Sequence, residues 1–246
     1  MHMLETENLT KKFGGLTAVN KVNLRIQANQ LTSVIGPNGA GKTTLFNLLT
    51  GLLPSSDGRI FFEGKEITGL PPYKIVKVGI GRSFQIINSF TDLSLFENIR
   101  LAVQAEKGHG FEMLASIGAF SDLNARTLEI IRALGLEGKE DVLVKNLSYG
   151  DKRVLEIGIA LASRPRLLLL DEPTSGLASR DTGRITQFIK DLAKDLTIVV
   201  IEHDMNLVLT ISDHIVVLHQ GQIIAEGVPQ AIRENNDVQE AYLGGL

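Results

Sequence analysis

Apolar positions along the chain follow two different periods. Near both ends they alternate with polar positions or form short β-branched runs, as they do in strands. From about residue 87 to 162 the apolar residues instead recur at helical spacing, which predicts a helical insert in the middle third. The predicted strands are residues 4–10, 21–27, 31–36, 59–67, 167–171, 197–202, 214–220 and 222–227.

Two of the later strands are apolar at every position. Residues 167–170 are four leucines and residues 198–201 read Ile-Val-Val-Ile, with a helix-like stretch between them. Such runs are typical of a parallel sheet that is covered on both faces. The chain is therefore predicted to be a single α/β domain, with a core of residues 1–86 and 163–246 and a helical subdomain of residues 87–162.

Two short polar stretches, residues 121–124 and 147–151, are predicted helix N-caps. In the second, Ser148 and Asp151 fit a capping box, in which the serine oxygen accepts from the third helical N–H and the carboxylate bonds back to the cap. Such a cap contributes about 1 kcal/mol. The remaining N–H groups at the start of this helix favour an anion, and Gly150 allows a close approach.

Length and composition exclude several classes of protein. With 246 residues, of which 43% are hydrophobic, the chain can bury one large core. The absence of cysteine excludes disulfides and thiolate metal sites, and it fits a reducing compartment. A formal net charge of -3 gives no electrostatic footprint for nucleic acid. No apolar run reaches the roughly 18 to 20 residues of a membrane span and no signal-peptide pattern is present, so we expect a soluble, cytoplasmic protein.

The most specific motif is GPNGAGKTT, which fits G-x-x-x-x-G-K-[ST] and lies between a predicted strand and a predicted helix. Its glycines let successive backbone N–H groups surround phosphate oxygens, and the helix N-terminus adds its positive end. Lys42 is expected to bridge the β- and γ-phosphates, Thr43 to bind Mg²⁺ and Thr44 to bond the α-phosphate. The predicted nucleotide-binding residues of this loop are Gly36, Pro37, Asn38, Gly39, Ala40, Gly41, Lys42, Thr43 and Thr44.

The stretch LLLLDEP supplies a second set of candidate catalytic groups. Asp171 ends a buried strand, where a carboxylate is costly unless it has a partner, and a Mg²⁺ ion held through water is the expected partner. Glu172 lies one step beyond the strand and is the candidate general base for the attacking water. The alternative is a surface Asp-Glu pair that enters a proline turn, but the intact phosphate loop favours the catalytic interpretation.

Three further residues are weaker candidates. His203 follows a predicted sheet strand, where an imidazole can hydrogen-bond the γ-phosphate, although a histidine there often only precedes the next helix. Gln85 is a candidate Mg²⁺ ligand through its amide oxygen, and otherwise a solvated side chain. Phe13 packs in the core by default; as an adenine-stacking ring it would have an exposed face.

The order of these motifs resembles that of the ATP-binding cassette (ABC) ATPases, and the resemblance covers essentially the whole chain. Phe13, the phosphate loop, Gln85, LSYGDKR, LLLLDE, SGLA and His203 follow one another as in that family, with LSYGD where the family has LSGGQ. The resemblance implies a P-loop NTPase (RecA-like) core with an N-terminal antiparallel β subdomain and an inserted α-helical subdomain. It also implies ATP and Mg²⁺ as cofactors, and a head-to-tail dimer in which Ser148 and Gly150 complete the γ-phosphate site of the partner.

The same resemblance implies partners and a location. Hydrolysis would drive an integral-membrane permease, whose contact lies beside Gln85, so the stretch IINSF (86–90) is the expected docking groove. The second cassette subunit would be a copy of this chain or a paralogue, an extracytoplasmic substrate-binding protein would act indirectly, and nucleic acid would take no part. The subunit would lie peripherally at the cytoplasmic face of the cell membrane.

Three residues depart from the family pattern. Tyr149 replaces a usual glycine at a position that needs no positive φ. Asp151 replaces glutamine and brings a negative charge near a phosphate, which its bond to the cap and the adjacent Lys152 and Arg153 are expected to offset. Ala178 replaces the aspartate that follows SGL, so communication across the dimer through this loop is in doubt.

Within the family, three features are most similar to the ATP-binding subunits of branched-chain amino acid importers: LSYG, the strand QIIAEG and the tail AYLGG. The closely similar urea and amide importers remain an alternative. A further alternative is a cassette that acts on nucleic acid or ribosomes. The short gap between Lys42 and the LSYGD motif and the presence of one cassette disfavour it. The residues contain no Asn-Lys-x-Asp base reader of the GTPases.

Overall fold

The computed structural model describes residues 2–83, 89–106 and 117–243. The strands are β1 (His2–Phe13), β2 (Leu16–Val22), β3 (Arg25–Gln27), β4 (Leu31–Ile35), β5 (Asp57–Phe62), β6 (Lys65–Glu66), β7 (Ile80–Arg82), β8 (Leu167–Asp171), β9 (Thr197–Ile201), β10 (His214–His219) and β11 (Gln222–Gly227). The helices are α1 (Lys42–Leu49), α2 (Pro72–Lys77), α3 (Leu95–Glu106), α4 (Ile117–Ala133), α5 (Tyr149–Ala162), α6 (Ser179–Leu192), α7 (Met205–Ile211), α8 (Pro229–Arg233) and α9 (Asn236–Leu243), and a 3-10 turn spans Val144–Asn146.

A six-stranded sheet forms the centre, in the order β11-β10-β4-β9-β8-β7. All neighbouring pairs from β10 to β7 are parallel, and only the edge strand β11 runs antiparallel to its neighbour. Every residue of β4, β8 and β9 is buried, which confirms the prediction of a parallel sheet covered on both faces. Because parallel strands end at the same edge, the residues that follow β4, β8 and β9 lie along one edge of the sheet.

An antiparallel sheet at the N-terminal side has the order β2-β1-β5-β6, with β3 also paired to β1. The predicted strand 21–27 is interrupted between β2 and β3. There the hydroxyl of Thr6 donates to Val22 O at 2.8 Å and accepts from Leu24 N–H at 2.8 Å, beside one backbone bond from Thr6 N–H to Leu24 O at 2.9 Å. The predicted strand 59–67 is a hairpin, because Glu63 and Gly64 adopt positive φ between β5 and β6.

In the middle third the described residues form the helices α3, α4 and α5, as predicted, and these helices share their core with the sheet. Buried residues of α3, α4 and α5 form one cluster with Leu168 and Leu170 of β8 and with Ile198 and Val200 of β9. The predicted N-cap at residues 121–124 is wrong, because α4 already begins at Ile117. Ser121 and Asp122 are exposed on this helix, where such residues cost only a few tenths of a kcal/mol to about 0.7 kcal/mol.

Across the described parts of the chain, no helix combines the length and the apolar composition needed to span a membrane.

Candidate active site

The phosphate loop connects the carboxyl end of β4 to the first turn of α1, and two of its glycines are required by close contacts. A Cβ at Gly36, where φ is 151°, would lie 2.1 Å from Leu218 O. A Cβ at Gly41, where φ is 102°, would lie 2.4 Å from Ala18 O. The loop is therefore confined between β10 on one side and β2 on the other, and only glycine fits at these two positions.

The turn between β10 and β11 supports the same loop through backbone bonds. Gly221 N–H donates to Ala40 O at 2.9 Å, and Gly221 O accepts from Asn20 N–H at 2.8 Å. These two bonds tie the phosphate loop to both sheets. The helix that follows, α1, has Gly41 as its N-cap and therefore no side-chain cap, so its first N–H groups are available to an anion.

Lys42 is buried at the start of α1 and lies among carbonyl groups of the loop. Its ammonium donates to Gly36 O at 2.6 Å and to Pro37 O at 3.0 Å. Burial lowers the pKa of Lys42, and the negative charges of Glu172 and Asp171 oppose part of that effect. Both acidic groups of the LLLLDE stretch are thus close enough to stabilise the lysine charge.

An open cleft with a volume of about 340 Å³ lies over the loop. Its lining includes Phe13, Leu16, residues 38–44 and Glu172. Phe13 ends β1 and is 46% exposed, and Thr43 is exposed as well. The fold therefore brings the candidate adenine-stacking ring, the phosphate loop and the candidate general base to one cleft. Ser148 and Gly150 of the same chain are not part of its lining.

Asp171 has a protein partner that the sequence analysis did not identify. Arg82, at the end of β7, donates to Asp171 Oδ2 at 2.7 Å, and both side chains are buried. The same guanidinium also donates to Asn47 Oδ1 at 2.7 Å and to Thr50 Oγ1 at 3.2 Å in and beside α1. The local signal for Arg82 is a charged residue at the end of the short strand IGR, three residues before Gln85.

The second oxygen of Asp171 fits a cation or its bound water. Asp171 Oδ1 is buried and has no hydrogen-bond partner among the described residues. An unpaired buried carboxylate oxygen is costly, so an additional ligand at this oxygen would be stabilising. The exposed hydroxyl of Thr43 lies in the adjacent cleft. The predicted ligand Gln85 lies outside the described residues.

Glu172 leaves the strand in a left-handed conformation, with φ at 47°. Its N–H donates to Ile201 O at 3.0 Å, and its carbonyl accepts from Ser175 N–H at 3.2 Å. This conformation costs roughly 1–3 kcal/mol for a residue other than glycine, and the two backbone bonds hold it. The chain therefore turns away from the axis of β8 at Glu172, and Glu172 lines the cleft.

A buried carboxylate directly follows β9, and the sequence did not indicate its role. Glu202 is 0% exposed and accepts from Thr174 N–H at 3.0 Å and from its hydroxyl at 2.6 Å. It also accepts from His203 N–H at 3.3 Å, and the exposed His203 ring lies 3.8 Å away through Nδ1. Glu202 therefore joins the segment after Glu172 to the position of His203. The ring of His203 is not part of the cleft lining.

Tyr242 in α9 contacts the phosphate loop from behind, and no local pattern indicated this. Its ring packs against the cluster that contains Ile35 and Val217. Burial raises the pKa of Tyr242 to about 12, although a hydrogen bond from the Gly36 backbone acts in the opposite direction. The phenol therefore stays neutral at physiological pH.

The predicted cap at the start of α5 is confirmed. Ser148 has extended backbone angles, and its Oγ accepts from Asp151 N–H at 3.1 Å. The Asp151 carboxylate also hydrogen-bonds back to the side chain of the cap residue Ser148, and in addition it binds Lys139 Nζ at 2.6 Å and Arg184 Nη1 at 2.9 Å, two partners that were not predicted. Burial raises the pKa of Asp151, but these hydrogen bonds outweigh it and leave the pKa below its usual value.

The described contacts of the two basic neighbours of Asp151 are with other residues. Lys152 Nζ donates to Lys145 O at 3.1 Å. Arg153 donates to Tyr149 Oη at 3.0 Å and pairs with Glu156. Because side chains on consecutive helical positions point in different directions, neighbours in sequence are poor partners for one another.

Ala178 is the N-cap of α6 and gives this helix no side-chain cap. Its backbone is extended, with φ at −68° and ψ at 151°, which is the conformation that a capping aspartate adopts. Restoring the aspartate of the family pattern therefore requires no backbone change.

We expect Ala178→Asp to raise the free energy of unfolding by about 0.5–2 kcal/mol, because the carboxylate would cap free N–H groups of α6. Urea denaturation followed by circular dichroism measures this change. Ala178→Leu is the matched control and should give no gain, since leucine cannot cap. Equal stability of the aspartate and leucine variants would contradict the assignment of this cap position.

The ABC transporter family matches residues 19–175, which include the phosphate loop, the cap at Ser148 and the LLLLDE stretch. The chain belongs to the ATP-binding cassettes of the ABC transporters. It is therefore an ATPase that binds ATP and couples hydrolysis to transport. The family named branched-chain amino acid ATP-binding cassette transporter matches residues 222–245.

Individual relatives match over nearly the whole chain. The chain is 42% identical to the high-affinity branched-chain amino acid transport ATP-binding protein BraF of Pseudomonas aeruginosa, over 98% of each chain. It is 39% identical to the corresponding protein LivG of Escherichia coli, again over 98% of each chain.

Solved structures confirm the predicted fold. The ADP conformation of an ATP-binding cassette of an ABC transporter aligns with a TM-score of 0.87 and 31% identity over 99% of each chain. A dimeric post-hydrolysis state of a second cassette, bound to ADP and phosphate, aligns with a TM-score of 0.78 and 28% identity over 92% of this chain and 99% of that one.

Proposed function

We propose that this chain is the ATP-hydrolysing subunit of an importer for branched-chain amino acids, held peripherally at the cytoplasmic face of the membrane. The observation that carries the cargo class is the match of residues 222–245, a range that contains β11, α8 and all of α9. The phosphate loop is common to all cassettes, so it cannot distinguish cargo, whereas this C-terminal segment belongs to one group of transporters. The alternatives, an importer of urea or amides and a cassette that acts on nucleic acid or ribosomes, lack such support.

In this proposal ATP lies in the cleft over the phosphate loop. Phe13 stacks on the adenine with its exposed face. Residues 38–41 present backbone N–H groups to the phosphates, while Lys42 exchanges its bonds to Gly36 O and Pro37 O for phosphate oxygens. Thr44 bonds the α-phosphate.

Thr43, Gln85 and Asp171 would hold Mg²⁺, with Asp171 acting through water. The buried, unpartnered Oδ1 of Asp171 supports this assignment. The ion would neutralise charge on the phosphate oxygens during hydrolysis. Arg82 holds the other oxygen of Asp171 and so fixes the direction in which Oδ1 points.

Glu172 is the proposed general base, and it accepts a proton from the water that attacks the γ-phosphate. Its position in the cleft wall and its effect on the pKa of Lys42 support this role. His203 is proposed to hydrogen-bond the γ-phosphate. Since its ring is exposed outside the cleft lining, that contact requires the dimer to close over the nucleotide.

The γ-phosphate site is proposed to be completed by a second subunit. Ser148 is exposed at the start of α5 and does not line the cleft of its own chain. Among the described residues, none accepts from the N–H groups of Tyr149 or Gly150, so this helix end can bind an anion of a neighbouring subunit. The partner is a copy of this chain or a paralogue.

The permease is proposed to dock beside the segment 86–90, of which residues 89 and 90 are described. The Phe90 side chain is 64% exposed, although its backbone is fixed: Asn98 Oδ1 accepts from Phe90 N–H at 2.8 Å and Asn98 Nδ2 donates to Phe90 O at 3.0 Å. An aromatic ring held in solvent by a rigid backbone is suited to enter an apolar pocket of a partner.

We expect Phe90→Arg to reduce transport at least about tenfold while the isolated subunit keeps its ATPase rate, because the ring contributes to docking and not to the nucleotide cleft. Uptake into vesicles and phosphate release by the free subunit measure the two effects. Phe90→Leu keeps an apolar side chain and is the control. Transport by the arginine variant equal to that of the parent would contradict the docking assignment.

Reconstitution tests the proposed cargo. The chain is purified together with its native membrane subunits and binding protein, inserted into lipid vesicles and supplied with ATP inside. We expect uptake of leucine, isoleucine or valine that depends on ATP. Uptake of urea or amides without these amino acids would contradict the cargo class, and stimulation of ATPase activity by DNA or ribosomes would contradict the transport function.

A further inference from the structure

Asp151 stands at the third helical position of α5, next to the cap that the chain offers to its partner. An uncompensated carboxylate at this position would repel a γ-phosphate bound at the helix end. The Asp151 side chain is only 5% exposed, and both of its oxygens are occupied: Oδ2 by Lys139 at 2.6 Å and Oδ1 by Arg184 at 2.9 Å. Two cations thus surround one anion beneath Ser148.

The two cations come from different parts of the fold. Lys139 lies in the connection between α4 and α5, within the helical insert. Arg184 lies on α6, whose Ile185 and Ile189 are buried in the cluster that includes residues of β8 and β9. The carboxylate therefore ties the first turn of α5 to a helix that packs on the central sheet.

The two residues before Asp151 contact the same segment. A Cβ at Gly150 would lie 3.0 Å from Asp181 Cγ in the first turn of α6. The ring of Tyr149 packs beside Gly176, because a Cβ at that glycine would lie 3.7 Å from the Tyr149 hydroxyl. Three consecutive residues of α5 thus contact residues 176–184, the segment that follows Glu172 along the chain.

We propose that Lys139 and Arg184 are positioning residues. By binding Asp151 they hold Ser148 in a fixed position relative to the segment that follows Glu172. Each subunit's general base is thereby linked to the cap that the same subunit donates to its partner. This inference rests on the proposed role of Ser148 in the partner's site. Neither cation lines the nucleotide cleft, so their removal should change the donated cap and not the binding of ATP within the same chain.

The test uses full-length chain carrying Glu172→Gln, in which ATP-driven dimers accumulate. Dimerisation with Mg²⁺ and ATP is measured by analytical ultracentrifugation, ATP binding to the monomer by fluorescence, and the unfolding midpoint by heating. The first variant is a double substitution, Lys139→Gln with Arg184→Gln. The second variant is the same double substitution with Asp151→Gln added. Lys194→Gln is the control, because it breaks an exposed ion pair just beyond α6.

We expect the variant without the two cations to dimerise at least about tenfold more weakly, because a buried carboxylate is then left unpaired beneath the cap. The affinity of the monomer for ATP should stay within about twofold of the parent's affinity, since Lys139 and Arg184 do not line the nucleotide cleft. Adding Asp151→Gln should restore most of the dimer affinity by removing the charge. The single substitution Arg184→Lys should leave the dimer affinity unchanged, because lysine keeps the positive charge. Lys194→Gln should also leave the dimer affinity unchanged.

Three results for the variants would overturn the inference. One is equal dimerisation with and without the two cations. Another is a defect that Asp151→Gln does not relieve, since charge balance would then not be the cause. The third is a parallel loss of ATP binding and thermal stability, which would indicate a structural role alone. If the Glu172→Gln parent itself stays monomeric with ATP, the proposed role of Ser148 fails and the inference falls with it.

Discussion

A subunit carrying Glu172→Gln is expected to bind ATP as the parent does, to hydrolyse it about 10²- to 10⁴-fold more slowly, and to accumulate as a dimer. The amide cannot accept the proton of the attacking water, and this rate range corresponds to about 3–5 kcal/mol of barrier. Glutamine is nearly isosteric with glutamate, so the left-handed turn at φ 47° should be kept.

The measurements are phosphate release, equilibrium binding of ATP and light scattering. Glu226→Gln, at an exposed position of β11, is the matched control and should leave all three unchanged. A hydrolysis rate equal to that of the parent would remove Glu172 from its proposed role. Loss of ATP binding together with hydrolysis would instead indicate a damaged cleft.

The second large effect concerns mixtures of two inactive subunits. Homodimers of Ser148→Arg and of Lys42→Ala are each expected to be inactive, because every site then lacks either its cap or its phosphate lysine. In a heterodimer of the two, one site combines an intact Lys42 with an intact Ser148. Random mixing should therefore recover roughly a quarter of the parent activity if a single site works alone.

A complementary mixture distinguishes a site shared between chains from one within a chain. A subunit that carries both Ser148→Arg and Lys42→Ala is paired with an unmodified subunit through two different affinity tags. In a shared arrangement both sites of this heterodimer are broken and activity is absent. Activity near half that of the parent would mean that each chain contains a complete site, and the proposed dimer would be incorrect.

The local parts of the site were predictable from the sequence. The phosphate loop was recognised because the spacing of its glycines, Lys42 and Thr43 directly reflects the backbone path that surrounds a phosphate. The cap at Ser148 was predicted because its bond to Asp151 N–H spans three residues. Both features are decided within a single turn of chain, where the sequence pattern and the geometry coincide.

Charge partners could not be predicted in the same way. Lys152 and Arg153 were expected to offset Asp151 because they are its neighbours in sequence, but the helix turns them elsewhere. The predicted cap at residues 121–124 failed for a related reason: Ser and Asp are common at caps, yet they cost little on the exposed face of a helix that begins earlier.

By itself the sequence determined the phosphate loop and the strands β4, β8, β9 and β10 of the parallel core, because hydrophobic period and glycine spacing are local properties. Only the tertiary structure decided which charged and polar groups meet, since those partners are brought together by chain crossovers that no local pattern encodes. These partners are Arg82 with Asp171, 89 residues apart, Thr174 with Glu202, 28 residues apart, and Arg184 with Asp151, 33 residues apart.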